Sequence, residues 1–343
     1  MIWGEELHSR SQSEKTKQLL HVVADDLDRA DALLQSAANV GYEPLETVLR
    51  PILGARGKRL RPALVLLAAK QGEYDPERLL PAAAAVELLH TASLIHDDTL
   101  DRASTRRGVP TIHSALSDKV SVLVGDYLFA KSADFAAKTR SLRVMEIFAQ
   151  VLMTIADGQL QELLVPMSTE SLKREYYRRI ACKTASLFRA SAEIGATLGN
   201  VDEVKAEALR QYGFHFGMAF QIADDILDFV GDEQELGKPV GSDLRQGTLT
   251  LPTILLLELL PPNDPIHTIL RGNGHTEETI QRTIDLVRNS SALNLSRAEA
   301  RGFVDTAKDW ARRLPDTECR QTMLDLADLI LDRVTIGQTS SGE

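Results

Sequence analysis

Only two cysteines, Cys182 and Cys319, occur in the 343 residues. Neither has a nearby cysteine or a metal-type spacing, which excludes a disulfide framework and a zinc site. Aromatic residues make up only 5%, too few for the aromatic-rich alternating strands of a β-sandwich. No stretch approaches the roughly 18 to 20 uncharged apolar residues of a membrane-spanning helix. The opening MIWGEELHSRSQSEK is polar and charged and lacks a signal-like apolar run. A cytoplasmic protein is expected. Excess positive charge is missing too: the formal net charge is −10, which argues against a nucleic-acid partner. An acidic chain that handles anionic substrates must gather Lys, Arg or metal ions locally.

What the chain does have is Ala- and Leu-rich sequence with apolar residues every three to four positions, broken by short Gly, Pro or Asn punctuation. This pattern predicts an all-α fold. Helices are expected over about 14–37, 43–53, 59–71, 76–102, 117–137, 141–163, 169–198, 202–231, 249–260, 276–289, 295–313 and 316–336. Pro62 fits only the first turn of its helix. The segments 76–102 and 202–231 are apolar on most faces, which marks them as central. No linker or composition shift divides the chain, so residues 1–343 read as one domain, frayed over about 12 residues at the start and 8 at the end. The polar segment FVGDEQELGKPVGSDLRQGTLTL, residues 229–251, is the longest connection and a candidate functional loop.

One internal echo stands out: HTASLIHDDTLD and GMAFQIADDILD. Asp97, Asp98 and Asp101 form the first acidic cluster, and Asp224, Asp225 and Asp228 the second. On a helix, residues four apart lie on one face, so each cluster aims at least two carboxylates at one point. Like charges at that spacing destabilise a helix by a few tenths of a kcal/mol per pair. A divalent cation resolves the conflict, and ligands that are all oxygen favour Mg²⁺. A solvated acidic face is the bland explanation for one cluster; two copies at the ends of two apolar helices argue for metal-assisted diphosphate chemistry.

Cationic residues are grouped nearby. GARGKRLRP supplies Arg56, Lys58, Arg59 and Arg61 at a helix start, a natural anion site. Arg106 and Arg107 follow the first cluster in a Gly/Pro loop, where their planar forks could surround phosphate oxygens. Lys183, Gln221 and Lys238 are scattered, and taken singly they read as surface groups. His90 is either a phosphate donor or a satisfied core histidine, and His96 reads as packing.

Taken together, DDTLDRASTRRG, GKRLRP, the KTA at 183–185, FQIADDILD and GKPVGSDLRQG resemble the trans-isoprenyl diphosphate synthases, or polyprenyl synthetases, strongly over about residues 40–260. The resemblance implies a bundle of long helices around a deep cavity, a homodimer, and two facing aspartate motifs. It implies that Asp97, Asp98, Asp101, Asp224 and Asp228 bind three Mg²⁺ around an allylic diphosphate, with Asp225 in the same catalytic cluster. Arg106, Lys183 and Lys238 resemble its cationic partners, with Thr184 and Gln221 lining the same site. Lys58, Arg61, His90 and Arg107 resemble the isopentenyl diphosphate pocket, and Asp243 a late acidic position supporting the metal region. Thr248 departs from the pattern, since many relatives carry Lys there. The implied chemistry is ionisation of the allylic C–O bond, attack by the isopentenyl double bond, and loss of a proton to the departing diphosphate.

Ser93 and Ala92 lie four and five positions before Asp97, about one turn deeper along the helix. Both are small, and the resemblance links small residues here to long products. We therefore expect a medium or long all-trans chain of about thirty to forty-five carbons, at roughly one isoprene unit per 5.4 Å turn. A twenty-carbon geranylgeranyl product is the alternative, if deeper residues such as Leu88, Leu89 or Ala85 close the cavity. A terpene cyclase would lack the second DDxxD and the GKRLRP pocket. A non-catalytic subunit of a heteromeric synthase would be expected to have lost aspartates or cations. A greasy product would also favour peripheral membrane contact at release.

Overall fold

Local capping chemistry sets where the helices begin. In the computed structural model, which describes residues 14–55, 57–106, 109–164, 171–231, 239–261, 263–269 and 276–335, Asp75 accepts a hydrogen bond from the Glu77 N–H and Pro76 takes the first helical position. Asp202, Ser117 and Thr276 likewise accept from the N–H groups of Lys205, Val120 and Thr279. Each such cap satisfies a donor that the helix itself leaves unpaired, at about 1 kcal/mol apiece.

In chain order the helices are α1 (Ala24–Ser36), α2 (Glu43–Gly54), α3 (Leu60–Ala69), α4 (Pro76–Leu100), α5 (Ile112–Ala115), α6 (Asp118–Lys138), α7 (Leu142–Leu164) and α8 (Leu172–Ile180). A π-helical turn, Ala181–Ala185, joins α8 to α9 (Ser186–Leu198). Then come α10 (Glu203–Val230), α11 (Ser242–Arg245), α12 (Leu251–Leu259), α13 (Pro265–Ile269), α14 (Glu277–Asn289), α15 (Ala292–Ala311) and α16 (Glu318–Thr335). The expected helices are present, and Pro62 indeed lies in the first turn of α3. Periodicity missed the short helices α5, α11 and α13, the 3₁₀ turn Leu20–Val23 and the two-residue hairpin β1 (Thr105–Arg106) with β2 (Val109–Pro110). None of these is long enough to show a repeat.

α4 and α10 are the central helices, as their apolar sequences require. α4 packs along α6 and against α1 and α3, while α10 lies against α9 and α15. By length and composition α4 could cross a membrane, but 67% of its most apolar window is buried inside the protein. Leu88, Leu89, Phe188, Phe216, Ile222 and Phe229 are fully buried in the core; each contributes about 1.5–3 kcal/mol relative to exposure. Two glycines permit the tight layers. A Cβ on Gly195 would stand 2.1 Å from the Val65 carbonyl oxygen, and one on Gly217 would stand 2.6 Å from the Ala185 Cα. The second close approach brings α10 against the π turn, and the site depends on it.

Candidate active site

Asp97 and Asp98 occupy the last turn of α4, each with 6% exposure. Asp97 Oδ2 lies 3.2 Å from the Lys183 Nζ, and its Oδ1 accepts a hydrogen bond from the Gln159 amide on α7. Arg106 folds back from β1 and donates from Nε to both oxygens of Asp98 at 2.8 Å, with Nη2 2.6 Å from Oδ1. Asp101 caps α4 at its exposed end, its N–H bonding the Asp97 carbonyl at 2.8 Å. Burial holds the Asp97 carboxyl above the ordinary carboxylate value, against the pull of Lys183. Burial would lower the Lys183 ammonium, yet Asp97 and Asp101 outweigh it and raise that ammonium instead.

The second cluster sits at the end of α10 and is built differently. Half-buried Asp224 pairs through Oδ1 with Arg333 Nη2 of α16 at 2.6 Å. Asp225 turns inward: Tyr176 Oη donates to it at 2.6 Å and Gln221 Nε2 at 2.8 Å. Burial, followed by the nearby Asp243, pushes its carboxyl up to about 7. Asp228 is fully buried, where its Oδ2 accepts from the Asp243 N–H at 3.2 Å and its carbonyl from the Gly241 N–H at 2.8 Å.

The π turn joins these two clusters. One extra residue in the helical repeat re-aims neighbouring side chains. Lys183 thereby reaches Asp97 on α4, while Thr184 Oγ1 donates to Gln221 Oε1 at 2.7 Å on α10. Consecutive residues of the π turn thus reach the two clusters separately, Lys183 contacting Asp97 and Thr184 contacting Gln221, which in turn donates to Asp225. Asp97 meets Lys183, Asp98 meets Arg106, and Thr184 and Gln221 lead to Asp225, whereas Asp224 and Asp228 take other partners, Arg333 and the Asp243 N–H.

Among the described residues, however, no three carboxylate, histidine or cysteine groups converge at metal-ligating spacing. Protein cations hold the carboxylates instead: Lys183 on Asp97, Arg106 on Asp98 and Arg333 on Asp224. The donor set is still entirely carboxylate oxygen, which suits a hard divalent cation, and the cations now on it are side chains that can be displaced.

Of the second basic group, Lys58 is exposed, His90 is half-buried on α4, and the Arg61 guanidinium carbon lies 4.3 Å above the Phe188 ring. Arg56, Arg107 and Lys238 lie outside the described residues. His96 packs as expected, its ring edge-on to Phe129 and its Nε2 3.1 Å from the Val122 carbonyl. Ala92 is fully buried, and Ser93 Oγ donates to the His90 carbonyl at 2.8 Å.

Sequence reasoning missed Gln159, Tyr176 and Arg333. Tyr176 lies seven residues before Lys183 on the same helical run, a spacing of two turns that could have flagged it. Arg333 carried no motif at all.

Comparison with known proteins agrees with this architecture. A model of the polyprenyl synthetase family matches residues 42–287. Heptaprenyl diphosphate synthase component 2 of Geobacillus stearothermophilus is 36% identical over 315 residues, spanning 91% of this chain and 97% of that one. The polyprenyl synthase of Caulobacter crescentus CB15, solved with calcium and isoprenyl diphosphate, superposes with a TM-score of 0.87 at 34% identity, covering 92% of this chain and 97% of that one. A decaprenyl diphosphate synthase from Rhodobacter capsulatus gives 0.86 at 36% identity, covering 93% and 99%. With the helical bundle and both aspartate clusters in place, the chain belongs to the polyprenyl synthetase family, and it is a prenyltransferase.

Proposed function

We propose that the protein condenses isopentenyl diphosphate with an allylic diphosphate primer, farnesyl or geranylgeranyl, to make an all-trans chain of about thirty carbons or more, at roughly one isoprene unit per helical turn of cavity. The observation that carries this reading is the π turn, whose adjacent Lys183 and Thr184 contact Asp97 of the first cluster and, through Gln221, Asp225 of the second. It ties both acidic clusters and a lysine to one short turn, which supports a diphosphate site between them.

Asp97, Asp98, Asp101, Asp224 and Asp228 would hold Mg²⁺, three ions on the family pattern, and bound Mg²⁺ would offset the charge of the diphosphate and favour its departure. Lys183 and Arg106 bind the same diphosphate through charge-assisted hydrogen bonds once they leave Asp97 and Asp98. Lys58, Arg61 and His90, with Arg107, hold the second diphosphate. The apolar walls of α4 and α6 exclude water from the allylic cation, which water would quench. The proton lost from the new chain goes to the departing diphosphate, so no protein base is assigned.

We also read the protein as a homodimer. On α7, Leu142, Met153, Leu160 and Leu163 are 77%, 60%, 55% and 66% exposed. Residues 142, 149, 156 and 163 recur every seven positions and are all exposed and apolar, a stripe suited to its own copy. The greasy product would leave at a membrane surface.

Calorimetric titration with a slowly ionising farnesyl thiodiphosphate tests the site directly. Binding that requires Mg²⁺ and is lost in Asp98→Asn supports the reading. Equal binding with and without Mg²⁺ refutes it.

A further inference from the structure

Arg59 lies between two residues assigned to the second diphosphate, Lys58 and Arg61, yet its side chain faces away from solvent. Its side chain is 11% exposed, ion-paired with two carboxylates and hydrogen-bonded through both terminal nitrogens. Nε lies 2.7 Å from Asp31 Oδ1 on α1. Nη1 donates to Glu87 Oε1 on α4 at 2.6 Å. Nη2 donates to the Ala55 carbonyl at 3.3 Å, closing the basic loop on itself. Both carboxylates are nearly buried, at 14% and 9% exposure.

The backbone at Arg59 is also unusual. Its φ of +49° lies in the left-handed region at the N-cap of α3, a conformation that disfavours any residue with a Cβ. No side chain caps the helix there, so the clamp on the guanidinium is the visible compensation. This turn leaves Lys58 exposed before it and starts the helix that puts Arg61 over Phe188.

Glu87 adds the link to the site. It precedes His90 by three residues, so the two share a face of α4. The bond from Arg59 to Glu87 therefore registers the basic loop against the face that presents His90. Charge supports the same role. Four basic residues crowd positions 56–61, and two carboxylates around one guanidinium leave a surplus negative charge that offsets their mutual repulsion.

We propose that Arg59 is a positioning residue for isopentenyl diphosphate: a buried three-way clamp that holds Lys58 and Arg61 in register with His90 without touching substrate. The inference rests on the prenyltransferase reading above.

Arg59→Lys keeps the charge but cannot span three partners. Steady-state kinetics should show the KM for isopentenyl diphosphate raised roughly tenfold, with the allylic KM and kcat within about twofold, because only ground-state placement is lost. Arg59→Gly, which relaxes the left-handed backbone, should show the same selective rise. If R59K does not fold, Glu87→Gln, which keeps an acceptor for Nη1, carries the test with the same expectation. An unchanged KM for isopentenyl diphosphate in a folded variant, or equal rises for both substrates, overturns the proposal while the reaction stands. Wild-type protein that extends no primer overturns the reaction itself and the proposal with it.

Discussion

Arg333 of the last helix places Nη2 2.6 Å from Oδ1 of Asp224, with its guanidinium carbon 5.2 Å from the centre of the Phe220 ring. The C-terminal helix therefore supplies the counter-charge for the more accessible aspartate of the second cluster. A metal ion that binds Asp224 must compete with this pair. Arg333→Gln should lower the Mg²⁺ concentration for half-maximal activity by about threefold, the scale of one partly exposed ion pair. A Mg²⁺ titration of initial rate checks this. An unchanged or higher requirement would mean that Arg333 leaves Asp224 unaided or helps to hold the substrate.

Asp225 gives a pH dependence with a definite sign. Its folded pKa of about 7 lies above the unfolded value of about 3.9. Its contribution to stability is thus fully present below pH 4 and is lost as pH rises to 7. In metal-free protein Asp225→Asn should raise the melting temperature at pH 8 by a few degrees, with little change at pH 4. The Asn retains polar partners for Tyr176 and Gln221. The same substitution should shrink the stabilisation that Mg²⁺ provides. Calorimetry at the two pH values, with EDTA and with Mg²⁺, reads all of these, and destabilisation at pH 8 in EDTA would contradict the assignment.

Much of this site was legible in the sequence because its main residues come in short helical motifs. The pairs 97/98 and 224/225 and the position four residues after each first aspartate declared two acidic helix ends, and both were found. What the pattern did not resolve was direction. A one-residue difference is about 100° of helix, and it separates Asp224, on the rim with Arg333, from Asp225, buried on Tyr176. The run 169–198 was expected as a single helix, and periodicity gives no sign of the π turn at Ala181–Ala185 that turns Lys183 and Thr184 to opposite partners. Arg59 was read only as one more cation of its motif, since its burial depends on Asp31 and Glu87, each 28 residues away in sequence.

The chain-length role proposed for the turn of α4 before Asp97 is tested at Ser93. It is half-buried one turn before Asp97, so an aromatic ring there should block the growing tail. Ser93→Phe should shift the product distribution shorter by one or more isoprene units, about one per 5.4 Å turn, with the first condensation retained. Chromatography of dephosphorylated products checks it. An unchanged distribution would place the floor elsewhere, deeper on α4 or on α6.

The apolar stripe of α7 predicts an assembly. Met153→Glu combined with Leu160→Glu should convert a dimer to a monomer, read by light scattering, because a charge in a buried apolar interface is costly. The relative from Geobacillus stearothermophilus is named as a component of its synthase, so wild-type mass is itself informative. A monomer in isolation that assembles only with a second, different chain would contradict the homodimer.

On this reading the two acidic clusters and their cations perform repeated condensation. Incubation of purified protein with Mg²⁺, labelled isopentenyl diphosphate and farnesyl diphosphate, followed by sizing of the dephosphorylated products, tests it most directly. The expected result is a ladder that ends at about thirty carbons or more and vanishes in EDTA. A single twenty-carbon product would contradict the long-chain assignment, and folded protein that extends no allylic primer in Mg²⁺ would contradict the reaction itself.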